Sequence, residues 1–300
     1  MDLAGVLIPA ATPFDPVTGE VDVVALRGNV RRWLEAPVRG IVIGGSTGEA
    51  VLLDRDERAA LLTAARGVVP DDRLLVAGTG AESTRLTLLL TRDAAERGAD
   101  AALIQPPAFY RGGMTPEVLR DHYRAVADES PVPVILYQVP LRFSTVELPT
   151  GLVAELSEHP NVVGIKDSRG DLEVVGALVN AVRSGFQILV GSGSAFYASL
   201  EVGAVGGILG VANLLPEECA AIHGALSRGR TAEAGRLQEV VGPVHNRIVG
   251  KLGVPGVKAA LDLLGYAGGA PRAPLKALGE AGRADVRDAL TEAGVRVGAG

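Results

Sequence analysis

Cysteine occurs once in this chain, at Cys219, and tryptophan once. A lone thiol excludes an internal disulfide framework and fits a reducing compartment, so a cytoplasmic location is expected. No stretch reaches the roughly 18 uninterrupted apolar residues that a membrane-spanning helix needs. The opening decapeptide, MDLAGVLIPA, has no basic segment ahead of a long apolar run, so no signal peptide is expected. Basic charge is not concentrated anywhere. The net charge is −6 and acids and bases are interspersed, which argues against nucleic acid as a partner. Histidine is scarce too: His122, His159, His223 and His245, with no two at metal-ligand spacing. Neither a metal nor a cofactor is therefore expected. His122 and His159 fall in segments that read as helix ends or faces, and both read as solvated.

Lysine is the most informative scarcity. Lys166, Lys251, Lys258 and Lys276 are the only four, leaving 25 of the 29 basic residues as arginine. One of the four ends an apolar run, in NVVGIKDSRG (161–170), ahead of Asp167 and Ser168. A lysine there is ordinarily a side chain reaching out of a strand tip, or half of an ion pair with Asp167. The alternative is a buried nucleophilic amine ready to form a Schiff base with a carbonyl.

Abundance begins with glycine, at 39 residues, and with 47% hydrophobic residues, enough for a large core. Short apolar runs recur at 5–14, 40–45, 74–80, 101–107, 132–140, 162–168, 186–192 and 206–213. They are continuous and not alternating, as in strands buried on both faces. Helix-like stretches separate them. Residues 54–69 open with acids, 83–99 start on Ser83 and stop near Gly98, and 115–130 start on Thr115 and Pro116. Eight such units predict an α/β fold, a (β/α)₈ TIM barrel. An open doubly wound sheet would announce a glycine-rich first turn, and residues 9–22 are not one. Beyond residue 213 the strand rhythm stops. The expected division is a barrel over 1–228 and a C-terminal helical bundle over 229–300.

Chemistry in such a barrel lies at the carboxyl ends of the strands. The ends collect GGSTGE (44–49), PPAFYRGG (106–113), YQVPLR (137–142), Lys166, GSGSA (191–195) and GVAN (210–213) at one mouth. That convergence favours the reactive lysine over the bland one. GGSTGE would bring backbone N–H groups and two hydroxyls to one turn, a cradle for a carboxylate, with Glu49 bracing the loop.

Taken in order and spacing, GGSTGE, LYQVP and GIKDS resemble the dihydrodipicolinate synthase/N-acetylneuraminate lyase family. These are pyruvate-dependent class I aldolases and lyases on a (β/α)₈ barrel. The tail LGVPGVKAALDLLGYAGGAPRAPL (252–275) extends the resemblance toward 4-hydroxy-2-oxoglutarate aldolase-like members. The resemblance implies Lys166, Tyr137 and Ser46 as catalytic residues, with Ser46 relaying protons to Tyr137. It implies Thr47, Gly45, Arg142, Gly191 and Ile208 as substrate-binding positions, with Arg142 facing a carboxylate of the second substrate. It further implies small-molecule 2-oxo acid and aldehyde substrates and a homo-oligomer, a tetramer built from dimers.

The match is not complete. Phe109 falls where many synthases carry a tyrosine that completes the proton relay across a dimer interface, and a phenyl ring cannot relay a proton. Tyr110, one place later, is the candidate replacement. Phe143 and Ser144 also stand where synthases usually carry Thr-Gly. Three readings follow: a Schiff-base aldolase or lyase; a phosphate-handling barrel enzyme using GSGSA and GGILG; and a non-catalytic 2-oxo acid binding protein. Within the first, cleavage of a 4-hydroxy-2-oxo acid leads, ahead of dihydrodipicolinate synthesis and sugar-acid cleavage.

Overall fold

The fold is given by a computed structural model that describes residues 1–298. Eight parallel strands close into a barrel in chain order, and β8 pairs with β1. The strands are β1 (Gly5–Pro9), β2 (Gly40–Ile43), β3 (Leu74–Gly78), β4 (Ala101–Ile104), β5 (Val134–Gln138), β6 (Val162–Asp167), β7 (Gln187–Val190) and β8 (Gly206–Ile208). Each lies inside one of the apolar runs predicted from sequence. Both faces are covered. Leu7, Val42, Val76, Leu103, Ile135, Leu189 and Ile208 fill the barrel interior. Their neighbours Val6, Ile8, Ile41, Ile43, Leu75 and Ala77 pack outward against the helices. Burial on both faces is why the runs are continuous.

The helices between strands start where short polar side chains can satisfy the free N–H groups of a first turn. Asp22 caps α1 (Val23–Trp33), and Asp54 forms a reciprocal box with Glu57 on α2 (Arg55–Arg66). Ser83 caps α3 (Thr84–Glu96). Thr115 caps α4 (Pro116–Glu129), with proline at its first position, where a missing N–H costs nothing. Then follow α5 (Thr150–Ser157), α6 (Leu172–Ala181), α7 (Phe196–Val202) and α8 (Pro216–Leu226). One buried amide adds to the β8–β1 pairing that closes the barrel. Asn213 Nδ2 donates to Pro9 O (2.9 Å) and its Oδ1 accepts from Ala11 N (3.1 Å), tying the end of β8 to the end of β1.

Past α8 the described chain forms α9 (Thr231–Val244), α10 (Gly253–Leu263) and α11 (Glu280–Glu292). The last two residues of the expected 229–300 bundle lie outside the described residues. Pro243 sits inside α9. It has no N–H and its ring crowds the preceding turn. The helix then widens into a π-helical turn, His245–Leu252, before α10 begins. Val241, Val244, Ile248, Val257 and Leu261 anchor this extension in the same apolar cluster as the barrel helices.

His122 departs from expectation. It is 6% exposed, because Leu119, His122, Tyr123 and Val126 share the inward face of α4. Its Nδ1 meets Thr84 Oγ1 at 2.9 Å and its Nε2 has no partner among the described residues. His159 is half-buried, with Nε2 3.0 Å from Asp128 Oδ1.

Close strand packing depends on glycine at Gly40, where a Cβ would lie 2.1 Å from Leu74 O. Backbone cannot yield as a side chain can. Gly40→Ala is expected to lose about 1–3 kcal/mol, the usual cost of overpacking, read as a fall of several degrees in Tm. An unchanged Tm would show that β2 and β3 can part without penalty.

Candidate active site

Parallel pairing sets the site. Tyr137 on β5 and Lys166 on β6 are register partners, each one residue before its strand's end. Both side chains are buried at the carboxyl mouth, Lys166 at 4% exposure. The Lys166 Nζ lies 4.2 Å from the centre of the Tyr137 ring, within reach of its electron-rich face. Tyr137 OH is 3.3 Å from Ser46 Oγ. Burial pushes the Tyr137 phenol up, but the Lys166 charge and the hydroxyls of Ser46 and Ser168 outweigh it. The phenol is therefore held below its ordinary value, which suits a group that gives and takes protons.

These residues line a cavity of about 360 Å³. Ser46 and Thr47 form its β2 side, on a 3₁₀ turn (Ser46–Gly48) that follows the strand. Ile208 of β8 is fully buried and forms part of the wall. Gly191, after β7, leaves the gap that the lysine needs. A Cβ there would lie 1.8 Å from Ser168 Oγ and 3.2 Å from Lys166 Cε. Gly45 does not line the cavity. It shapes the turn instead, its carbonyl accepting from Gly48 N (3.0 Å) and Ala50 N (3.3 Å).

Arg142 stands at the mouth and is exposed. Its guanidinium donates to the carbonyls of Gly250 and Val249 on the π-helical turn, and it meets no carboxylate among the described residues. Arg169 also lines the cavity, but it is paired with Asp167 and with Glu147. Among the described residues, Lys166 and Arg142 are thus the basic lining side chains without a carboxylate partner. Tyr110 is not brought to the cavity within this chain. It and Phe109 stack edge to face at 5.1 Å and are 74% and 78% exposed.

Three polar lining residues escaped the sequence reading: Arg169, His245 and Asn246. His245 and Asn246 come from the π-helical turn, which no local pattern announces. The alternative phosphate-handling reading takes GSGSA as its loop, but several of its groups are engaged within the chain. Gly193 N donates to His245 Nδ1 (3.2 Å), Ser192 and Ser194 hydroxyls meet at 3.0 Å, and the carbonyls of Gly193 and Ser194 accept from Gln238. Among the described residues no three His, Cys, Asp or Glu side chains gather as a metal site would require.

The geometry defines a class first: a (β/α)₈ barrel protein with a lysine-centred cavity at its carboxyl mouth. The chain belongs to the dihydrodipicolinate synthetase family, which matches residues 2–293. It is 34% identical over 292 residues to a probable mitochondrial 4-hydroxy-2-oxoglutarate aldolase of Emericella nidulans, covering 96% of this chain and 94% of that one. It is 34% identical over 280 residues to a 4-hydroxy-tetrahydrodipicolinate synthase of Exiguobacterium sibiricum, covering 93% and 94%. An L-threo-3-deoxy-hexylosonate aldolase of Hypocrea jecorina is 32% identical over 301 residues, covering 96% and 95%. Among solved structures, the dihydrodipicolinate synthase of Acinetobacter baumannii complexed with pyruvate superposes with a TM-score of 0.93 at 32% identity, covering 98% and 100%.

The cavity also yields a pH test. Burial, aided by the nearby Arg142 charge, lowers His245 to about 4. Burial alone lowers His122 to about 4. An unfolded imidazole protonates near 6.5, so between those values the unfolded chain binds more protons than the folded one. Stability is full above about pH 6.5 and is lost as pH falls toward 4, by up to roughly 3 kcal/mol for each ring. Nitrogen NMR at pH 6 should find His245 neutral and protonated on Nε2, since Nδ1 accepts from Gly193. A ring titrating near 6.5 would contradict this environment.

Proposed function

We propose that the protein is a class I aldolase that works through a Schiff base on Lys166. It would cleave, or in reverse form, a 4-hydroxy-2-oxo acid such as 4-hydroxy-2-oxoglutarate. One observation carries the reading: a buried lysine amine at the end of β6, against the Tyr137 ring, facing a cavity with hydroxyls on one side and the Gly191 gap on the other.

Each step can be assigned to a residue. The Thr47 hydroxyl and the N–H groups of its turn would hold the 2-oxo acid carboxylate. The Lys166 amine attacks the C2 ketone, and loss of water gives an iminium, an electron sink. The C3–C4 bond then breaks. Its electron pair enters the iminium as an enamine, while the C4 hydroxyl proton passes to Tyr137 and the hydroxyl carbon leaves as an aldehyde. Protonation of the enamine at C3 and hydrolysis of the imine release pyruvate and free Lys166. Tyr137, held toward its ionised form and in contact with Ser46, is suited to move both protons. For 4-hydroxy-2-oxoglutarate the leaving aldehyde is glyoxylate, whose carboxylate would face Arg142.

Relatives are named for other reactions, and the same first steps serve dihydrodipicolinate synthesis or sugar-acid cleavage. The aldolase reading is preferred because Phe109 removes the relay hydroxyl expected of a synthase. A 2-oxo acid binding protein without turnover is the reading of another class, and it predicts an adduct without products. The exposed Phe109–Tyr110 pair supports a homo-oligomer, a tetramer of dimers by family resemblance, in which Tyr110 could meet another subunit's site. The lone buried Cys219 supports a cytoplasmic protein.

Borohydride reduction in the presence of pyruvate should fix a stable adduct on Lys166, located by peptide mass mapping. A folded protein with Lys166 unmodified would sink the mechanism. Arg142→Ala should lower kcat/KM for 4-hydroxy-2-oxoglutarate about tenfold or more, the scale of a charged hydrogen bond, with little effect on an uncharged aldehyde acceptor and with trapping intact. Equal losses on both would mean that Arg142 only holds the π-helical turn through Val249 and Gly250.

A further inference from the structure

Two of the four lysines are buried, and only one of them is Lys166. The other, Lys258, lies in α10 with no exposed surface. Its Nζ donates to Glu49 Oε1 at 2.8 Å and to Thr12 O at 2.8 Å, and it sits 4.4 Å from the centre of the Phe14 ring. The Glu49 side chain is equally sealed from water. Its second oxygen, Oε2, accepts from Arg272 N at 2.7 Å. Both oxygens of one carboxylate are thus fixed by the C-terminal extension.

Glu49 is also the one described residue other than glycine with positive φ, at 59°. A side chain with a Cβ avoids that region unless its surroundings hold it there. Glu49 directly follows the Ser46–Gly48 turn, and its own N–H closes that turn on Ser46 O at 3.2 Å. Thr12 braces the same turn from the other side, its Oγ1 donating to Gly48 O at 2.7 Å. One ammonium therefore grips the turn twice, through Glu49 and through Thr12.

We propose that Lys258 and Glu49 are a positioning pair that holds Ser46 and Thr47 where the substrate carboxylate and Tyr137 need them. The appended helices are then a working part of the site. A buried ion pair is often no more stabilising than a well-packed apolar pair of the same size. What it adds is direction: an ammonium flanked by a carboxylate and a carbonyl tolerates few arrangements. The pair touches neither the cavity nor a substrate, so its effect must pass through the turn. This inference rests on the Schiff-base reading, because it takes Thr47 as the carboxylate ligand.

The test uses Glu49→Gln/Lys258→Met, which removes both charges while keeping both lengths, and Thr12→Val, which cuts only the brace to Gly48. The readouts are Tm, kcat, and the pyruvate concentration that half-saturates borohydride trapping on Lys166. The double variant is expected to raise that concentration tenfold or more, and Thr12→Val several-fold, with Lys166 still trapped at saturating pyruvate. Restoring Glu49 alone, as Lys258→Met, should not recover affinity. If the double variant does not fold, Thr12→Val decides. A folded variant of either kind with unchanged half-saturation and kcat overturns the inference and leaves the pair a purely structural one. Absence of any adduct in the unmodified protein removes the Schiff-base reading and this inference together, a result distinct from an adduct that forms equally well in the variants.

Discussion

The site depends on one register. Parallel strands β5 and β6 put Tyr137 directly beside Lys166, and both residues fall at the carboxyl end of the barrel. A slip by one residue would turn either side chain from the interior to the helix layer. The packing that fixes the register is therefore also what creates the chemistry. Ile135 points inward and Leu136 outward, so the alternation of the strand turns the Tyr137 ring inward. Gly191 then matters because the inward lysine needs free volume on its β7 side. An amine, a phenol and two hydroxyl-bearing turns meet because the strands carrying them cannot slide.

Much of this was legible in the sequence, for identifiable reasons. Strands buried on both faces leave continuous apolar runs, and all eight were visible as such. Caps such as Asp54, Ser83 and Thr115 mark helix starts because the orphan N–H groups of a first turn demand a nearby oxygen. Lys166 stood out by scarcity and by its place at a strand end. The misses are equally physical. The π-helical turn at 245–252 directly follows α9 with its internal Pro243, and no local pattern marks it, so His245 and Asn246 read as ordinary helix residues. Burial of His122 could have been read from its spacing with Leu119, Tyr123 and Val126, a face that a helical reading exposes. The partners of Arg142 are main-chain carbonyls more than a hundred residues away, and sequence carries no mark of them.

Charge at the mouth is arranged by subtraction. Arg169 lies in the cavity wall but is neutralised by Asp167 and Glu147, and His245 is kept neutral by burial. Among the described residues, Lys166 at the bottom and Arg142 at the rim are the basic lining side chains that meet no carboxylate. An elongated anion with one carboxylate beside Thr47 and another near the rim would meet both. The same arrangement offers less to a substrate whose far end is uncharged, which is why the rim arginine, and not the lysine, discriminates among substrates in this reading.

The C-terminal extension contributes at three points of that mouth. It supplies the π-helical wall with His245 and Asn246, the carbonyls that seat Arg142, and the ammonium that clasps Glu49 behind the Ser46–Thr47 turn. A barrel alone can bring strand ends together, but the loops that follow them are free to move unless something outside the barrel holds them. Here the loops after β2 and β5 are both tied to the extension, one by a buried ion pair and one by an exposed guanidinium. The first tie is rigid because water is excluded from it. In the proposed reading the second can release, since a substrate carboxylate would compete on favourable terms with neutral carbonyls for the same N–H groups. A rigid turn after β2 and a solvent-exposed tie after β5 follow from the same set of helices, and the difference between them is burial.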